Sequence, residues 1–301
     1  RNLVEAQIHA QYPDAEISEV LDYAGPFAKK VPSKTYDISG AELILEKDDY
    51  YPIRTYQFFE EKEEERRVDP MASFLEILSK LKPGENIFIQ YLMKPTAEKE
   101  WKEKGAEALN KLMGKKVEKK KKWYENVFGG IEEFIRNLLV AAAIYPEWGE
   151  AKKEESKSSA SNLSPGEKLI AEAIENKISK LAFRACIRYA YIARSDIFSR
   201  ANMAAISGAF KQFNTVNLNA FKSNGDAGTS AGQPFKKRKE FLKKQKFIEK
   251  CVNRAWPEKD FILNIEELAT VYHYPILTVE TPTMRRVEAK KAEPPVSLPV
   301  G

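Results

Sequence analysis

Apolar residues recur with the period of an α-helix in four segments of the chain. The clearest begins at Asp69, a candidate N-cap, with Pro70 as its first helical residue. Another begins at Ser164-Pro-Gly-Glu167, which has the Ser-x-x-Glu form of a capping box. The pattern predicts helices over 2–12, 69–81, 164–178 and 199–213.

Branched and aromatic residues concentrate in four further segments and predict strands over 15–21, 41–56, 85–93 and 181–192. In the last segment polar and apolar residues alternate, and Arg184 and Arg188 fall on one face. This pattern indicates a half-buried strand whose two arginines form cross-strand ion pairs on an exposed sheet face.

The order of elements in the first part of the chain is α-β-β-α-β, which predicts an antiparallel sheet with helices on one side. We therefore expect an α+β fold of two ferredoxin-like units, at 1–96 and 163–278. A helical, lysine-rich insert and a polar linker at 97–162 join them. The final segment, 279–301, is rich in proline and is predicted to be an extended linker towards a further domain.

The overall composition is that of a globular protein, with 43% hydrophobic and 31% charged residues. No apolar run reaches the roughly 18 residues that cross a bilayer. Cys186 and Cys251 are too few for a disulfide scaffold and lack metal-ligand spacing, so a reduced, cytosolic setting is expected.

Charge is distributed unevenly although the net charge is only +5. The runs Lys115–Lys122 and Lys236–Lys246 combine dense positive charge with nearby aromatic residues, which suits phosphate backbones and base stacking. Exposed lysines that merely solubilise helices are the alternative interpretation. The candidate nucleic-acid contacts are Lys119, Lys120, Lys121, Lys122, Trp123, Lys236, Lys237, Arg238 and Lys239.

No catalytic signature is visible. Gly114-Lys115 is followed by Lys116 instead of a hydroxyl residue, and the glycine- and serine-rich segment 223–234, predicted as a flexible loop, lacks the pattern of a phosphate cradle. His9 and His273 are too far apart in sequence to form a helical metal-ligand pair. We expect no cofactor, no metal and no enzyme activity. An enzyme of an unrecognised type would require a pocket that groups Arg184 and Arg188 with carboxylates.

The stretch FILNIEELATVYHYP predicts a short helix with clear ends. Asn264 is its N-cap, and Glu267 completes an Asn-x-x-Glu capping box. Leu268 and Tyr272 are placed to pack on the preceding domain, and Pro275 enforces the exit of the chain. The segment is interpreted as a latch that closes the second unit, in which His273 packs or forms hydrogen bonds.

Several motifs resemble an uncharacterised N-terminal region of Patescibacteria-type proteins, found on type IV secretion coupling or HerA/FtsK-like ATPases. The matching motifs are QIHAQYPDAEI (7–17), DDYYPIRTYQFFE (48–60), DPMASFLEILSKL (69–81), SPGEK (164–168), AISGAFKQFNTVNLNAFK (205–222) and NIEELATVYHYP (264–275).

The resemblance implies a non-catalytic accessory or assembly region of a membrane-associated, DNA-translocating ATPase. It also implies a membrane-proximal segment before Arg1, a motor domain after Gly301, self-association through that motor and a place at the cytoplasmic face of the inner membrane. The alternative is a stand-alone nucleic-acid-binding protein that uses Lys115–Lys122 and Lys236–Lys246.

Overall fold

A computed structural model describes residues 2–13, 15–59, 69–96, 98–113 and 163–274. Within these ranges it contains seven α-helices and five β-strands. In chain order they are α1 (Asn2–Gln11), β1 (Tyr36–Leu45), α2 (Met71–Ser79), β2 (Glu85–Pro95), α3 (Glu98–Leu112), α4 (Pro165–Ser179), β3 (Ala182–Arg194), α5 (Arg200–Phe210), β4 (Phe221–Ser223), α6 (Lys236–Val252), β5 (Phe261–Asn264) and α7 (Ile265–Val271).

The strands form one antiparallel sheet in the order β2-β3-β1-β4, with β5 paired to β3. The predicted α+β class is confirmed. However, strands from both predicted units share this sheet, so the expectation of two separate sheets is wrong. The reason is that β3 is buried along almost its whole length, and its backbone groups need partners on both edges. β2 supplies one edge, while β1 and β5 share the other. The boundaries at 96, 162 and 278 stay predictions.

Both faces of the sheet are covered, so the prediction of a half-buried β3 with helices on one side is also wrong. On one face, Tyr189 and Tyr191 lie in a core with side chains of α2, α5 and α7. On the other face, Ala190 and Ile192 pack against α6. The fit of α6 is tight, because a Cβ at Gly40 of β1 would lie 2.2 Å from the ring of Phe247.

The segment 15–21, predicted as a strand, has no strand structure. Its large apolar side chains are exposed, with Val20 at 80% and Leu21 at 94% of full accessibility. A strand is stabilised by its ladder partners, and β propensity alone does not supply them.

The predicted helix starts are close to those observed. The capping box of Ser164 and Glu167 at the start of α4 is present. α2 begins at Met71, and Asp69 Oδ1 accepts a hydrogen bond from the backbone N–H of Met71 at 2.7 Å. The N-cap position is Pro70, one residue after the predicted cap. Asp69 nevertheless accepts from one of the free N–H groups at the start of the helix. In the described part of the chain, no helix is long and apolar enough to span a membrane.

Arg188 is fully buried, which corrects the expectation that its ion pair lies on an exposed face. It stands directly opposite Glu42 in the β1–β3 ladder, and its Nε and Nη2 donate to Glu42 Oε1 at 2.9 and 2.6 Å. The remaining donors reach Gln90 Oε1 and the carbonyl oxygens of Lys250 and Ala255. All five guanidinium N–H groups thus have acceptors, and the cation lies against the C-terminal carbonyls of α6, where the helix dipole favours it.

The predicted helix over FILNIEELATV is present as α7, with the capping box of Asn264 and Glu267. Glu267 is fully buried, and its carboxylate accepts from the Ile53 backbone N–H at 2.8 Å and pairs with Lys177 Nζ at 3.0 Å. Lys177 also donates to the carbonyls of Tyr51 and Ile262. This ion pair joins α7, α4 and the segment that follows β1.

Other residues of the proposed latch make weaker contacts. Leu268 is partly buried against the main core, and the half-exposed ring of Tyr272 lies 5.0 Å from that of Tyr91. His273 forms hydrogen bonds to Ala269 O and Asp69 Oδ1, both at 2.9 Å. Pro275 lies outside the described residues. The latch function itself stays a prediction.

Replacing Glu267 with Gln tests the latch. The substitution leaves the Lys177 ammonium buried beside an uncharged amide, so we expect a loss of about 3–5 kcal/mol in the free energy of unfolding. Urea denaturation measures it. The matched control is Glu167→Gln, which alters the same capping-box position in an exposed helix and should change stability far less. Equal losses in the two variants would contradict the role assigned to the buried pair.

The two cysteines provide a test of burial. Desolvation raises the pKa of Cys186 and of Cys251 to about 12 each, so neither thiol ionises appreciably at neutral pH. We expect both to resist alkylation by iodoacetamide in the native protein and to react once urea unfolds it. An Ala201→Cys variant, with a thiol on the exposed side of α5, is the positive control. Rapid native labelling at Cys186 or Cys251 would contradict the packing described.

Candidate nucleic-acid interface

The second basic run forms the first three turns of α6. Its predicted contact residues Lys236, Lys237, Arg238 and Lys239 are all exposed in the first turn. In the described part of the chain, Lys236 pairs with Glu240 only at 3.9 Å, and the other three make no ion pair. Their charges are therefore available to an external anion.

Four lysines of α6 form a stripe at helical spacing: Lys236, Lys239, Lys243 and Lys246. Separations of three, four and three residues place them on one side of the helix over roughly 15 Å. Two of them have ion pairs, Lys236 with Glu240 at 3.9 Å and Lys246 with Glu258 at 3.7 Å. These pairs are long, and all of their side chains except the partly buried Glu240 are exposed, so an incoming phosphate displaces them at little cost. We call these four residues the lysine stripe.

The C-terminal half of α6 packs against the core. Phe247, Ile248 and Cys251 are buried against the sheet, and Lys244 pairs with both carboxylate oxygens of Asp37 at 2.6 and 2.8 Å. None of the residues 236–242 is buried. The packed C-terminal half therefore fixes the direction of α6. The cationic N-terminal half extends beyond the core.

An exposed aromatic residue stands at the start of this helix. Phe235 is 77% exposed and has φ 58, in the left-handed region. A bulky residue with this backbone conformation costs free energy that surrounding structure must offset. Its ring lies free of the core immediately before Lys236, where it can stack on a base.

A cavity of about 540 Å³ lies beside the lysine stripe, between β1, α5, α6 and the segment 223–231. That segment was predicted to be a flexible loop, but it is attached to β1 by well-formed contacts. Gly40 N donates to Thr229 Oγ1 and Thr229 N donates to Gly40 O, both at 3.0 Å, while Asn224 N donates to Glu42 O. The segment is therefore a wall of the cavity, which we call the α5–α6 cavity.

Arg184 and Arg188 of β3 are not brought into one pocket. Arg184 lines a second cavity of about 440 Å³ with Asp49 and Glu100, and it pairs with Asp260 at 2.6 Å. Burial raises the pKa of Asp49, although Lys177 opposes the rise. Arg188 is sealed in the core. The grouping that would indicate an enzyme is therefore present only in part, and the expected absence of catalysis stays a prediction.

Five of the predicted nucleic-acid contacts stay predictions. Lys119, Lys120, Lys121, Lys122 and Trp123 lie outside the described residues. Within the described ranges, no three His, Cys, Asp or Glu side chains are grouped to hold a metal ion.

Sequence reasoning missed some residues of this surface. The three-four-three spacing of the lysine stripe was visible in the sequence and would have added Lys243 and Lys246. Phe235 was visible only as one of the aromatic residues beside the basic run. Arg200, which lines the α5–α6 cavity, carried no signal because its position depends on tertiary packing.

Comparison with known proteins adds a family without adding a function. No curated protein and no solved structure matches this chain. A family model described as a domain of unknown function, DUF8128, matches residues 1–286. This description names no activity. The chain belongs to the DUF8128 family.

Proposed function

We propose that this chain is a non-catalytic, nucleic-acid-binding accessory domain of a membrane-associated, DNA-translocating ATPase. The observation that carries the binding function is the lysine stripe of α6, headed by the exposed ring of Phe235. The accessory role and the link to type IV secretion or conjugation-like transport have separate support, which is the resemblance of the six motifs.

The charge distribution supports a polyanionic partner. α6 alone has a net charge of +6, against +5 for the whole chain. Six of its cations are exposed or half-exposed: Lys236, Lys237, Arg238, Lys239, Lys243 and Lys246. Such concentration creates a local positive field on a protein of modest overall charge. Neutralising phosphates with these side chains releases condensed counterions, which is the main source of sequence-independent affinity for nucleic acids.

The exposed ring of Phe235 favours single-stranded over double-stranded nucleic acid as the partner. An unpaired base presents its face for stacking, whereas bases in a duplex are already stacked on their neighbours. A cationic path beside an exposed ring is the arrangement that non-specific single-strand binders use. Under this proposal the domain holds DNA for a motor domain that hydrolyses ATP, and self-association occurs through that motor.

The salt dependence of binding tests the stripe. We expect the triple variant Lys236→Gln, Lys239→Gln, Lys246→Gln to weaken binding of a labelled thymidine decamer. The slope of log K against log salt concentration should fall by about 2, because each lysine contributes about 0.7 on a single strand. Fluorescence anisotropy at several salt concentrations measures both quantities.

The control for charge is a variant with three other exposed lysines changed to Gln: Lys99, Lys111 and Lys168 of α3 and α4. It has the same net charge as the stripe variant and should keep nearly the full slope. Equal effects of the two variants would show that overall charge, and no particular surface, governs binding. Absence of binding by the native protein at low salt would refute the proposed function.

Phe235→Leu tests base stacking. Leu keeps the apolar bulk but removes the aromatic face, so we expect the affinity for the thymidine decamer to fall by about 1–3 kcal/mol. The affinity for a duplex of equal length should change less. Leu242→Ala, at another exposed apolar position of α6, is the control and should have little effect. An unchanged single-strand affinity in the Phe235 variant would rule out the ring as a stacking platform.

A further inference from the structure

We infer that the α5–α6 cavity accepts one nucleotide of the single strand whose phosphates lie on the lysine stripe, an inference that rests on the proposed function. The cavity has a volume of about 540 Å³, which is in the range of small-molecule sites. It is far larger than a phosphate ion requires. It is therefore large enough for a base and its sugar to enter while the phosphate lies at the mouth.

Two cations of the cavity are available to a phosphate group. Arg200 makes no ion pair in the described part of the chain, and Lys236 is held only by the 3.9 Å contact with Glu240. Lys244 and Asp37 neutralise each other through their two short contacts. Both available side chains are exposed, so they belong to the mouth of the cavity. An arginine and a lysine at the mouth of one cavity suit a phosphate diester, since the guanidinium binds two phosphate oxygens at once.

The lining of the cavity suits a base and a sugar. Ser39, Ser207 and Ser230 contribute hydroxyls that form no hydrogen bond with other described residues, and these groups can donate or accept. Met203 and Ala204 contribute apolar surface from α5. Ligand sites combine apolar walls with a few polar groups in this way, and the uncommitted hydroxyls match the mixed donors and acceptors of a base edge.

The position of Lys236 connects this cavity to the lysine stripe, because the residue belongs to both. A strand that follows the stripe towards the start of α6 therefore reaches the mouth of the cavity. A base enters only if it is unpaired and leaves the stack, which is easiest in a single strand. The cavity accordingly predicts a preference for single-stranded over double-stranded DNA beyond the effect of charge.

Filling the cavity provides the test. The variant Ala204→Phe places a ring at the cavity wall, while Ala205→Phe places the same ring at the neighbouring exposed position, which does not line the cavity. The probes are a thymidine decamer and an abasic strand of equal length, which keeps the phosphates but has no bases. We expect Ala204→Phe to weaken binding of the thymidine decamer about tenfold or more. Binding of the abasic strand, which has no base to lose from the cavity, should weaken far less, and Ala205→Phe should alter neither.

The outcomes separate the two proposals. If the native protein binds neither strand, the proposed function is wrong and the inference falls with it. If the native protein binds and Ala204→Phe leaves the thymidine decamer unaffected, the cavity inference alone is wrong.

A second variant, Arg200→Gln, covers the case in which Ala204→Phe impairs folding. This change removes an exposed cation without filling space, and circular dichroism should show native structure. We expect Arg200→Gln to weaken binding of both the thymidine decamer and the abasic strand, because it removes a phosphate contact. The loss should be larger than that caused by Lys99→Gln on α3. Equal effects of these two variants would contradict the placement of a phosphate at the mouth of the cavity.

Discussion

The buried ion pair between Arg188 and Glu42 positions the helix on which the candidate interface depends. Desolvating two charges is costly, and such a pair is stable only when further hydrogen bonds satisfy it. Arg188 meets this condition through five hydrogen bonds to four acceptor atoms. Two of these acceptors are the carbonyl oxygens of Lys250, in the last turn of α6, and of Ala255, three residues beyond the helix. The pair therefore fixes the position of α6 more than it adds to the net stability of the fold, because it attaches the C-terminal end of this cationic helix to the central strand β3.

This attachment explains how a helix rich in lysine is ordered. The C-terminal half of α6 buries Phe247, Ile248 and Cys251, and the ion pair of Lys244 with Asp37 sets its direction. The N-terminal half then needs no buried side chain of its own and can expose its charges. The packing of the C-terminal half of α6 offsets the repulsion between neighbouring lysines in the N-terminal half. A second buried pair, Lys177 with Glu267, performs the corresponding task near the N-terminal end of β3, where it joins α7 to α4.

Local patterns predicted many elements because their causes lie within a few residues. The capping boxes at Ser164 and at Asn264 are interactions over three positions, and both are present. The segment 15–21 shows the limit of such reasoning, because its branched residues favour a strand but no neighbour supplies a ladder. The candidate interface was likewise found in part: the charges of 236–246 are visible in sequence, whereas the cavity beside them is not.

The sequence by itself determined the α+β class, the capping boxes of α4 and α7, and the concentration of positive charge in one run. Only the tertiary structure decided that all strands share one sheet, that Arg188 is buried instead of exposed, and that Arg200 and Lys236 meet at one cavity. The physical reason is the range of the interactions. Periodicity and capping act over about four residues, but Arg188 depends on Glu42, 146 positions away, and on Ala255, 67 positions away. Whether a charge is solvated or buried depends on which distant segments pack around it.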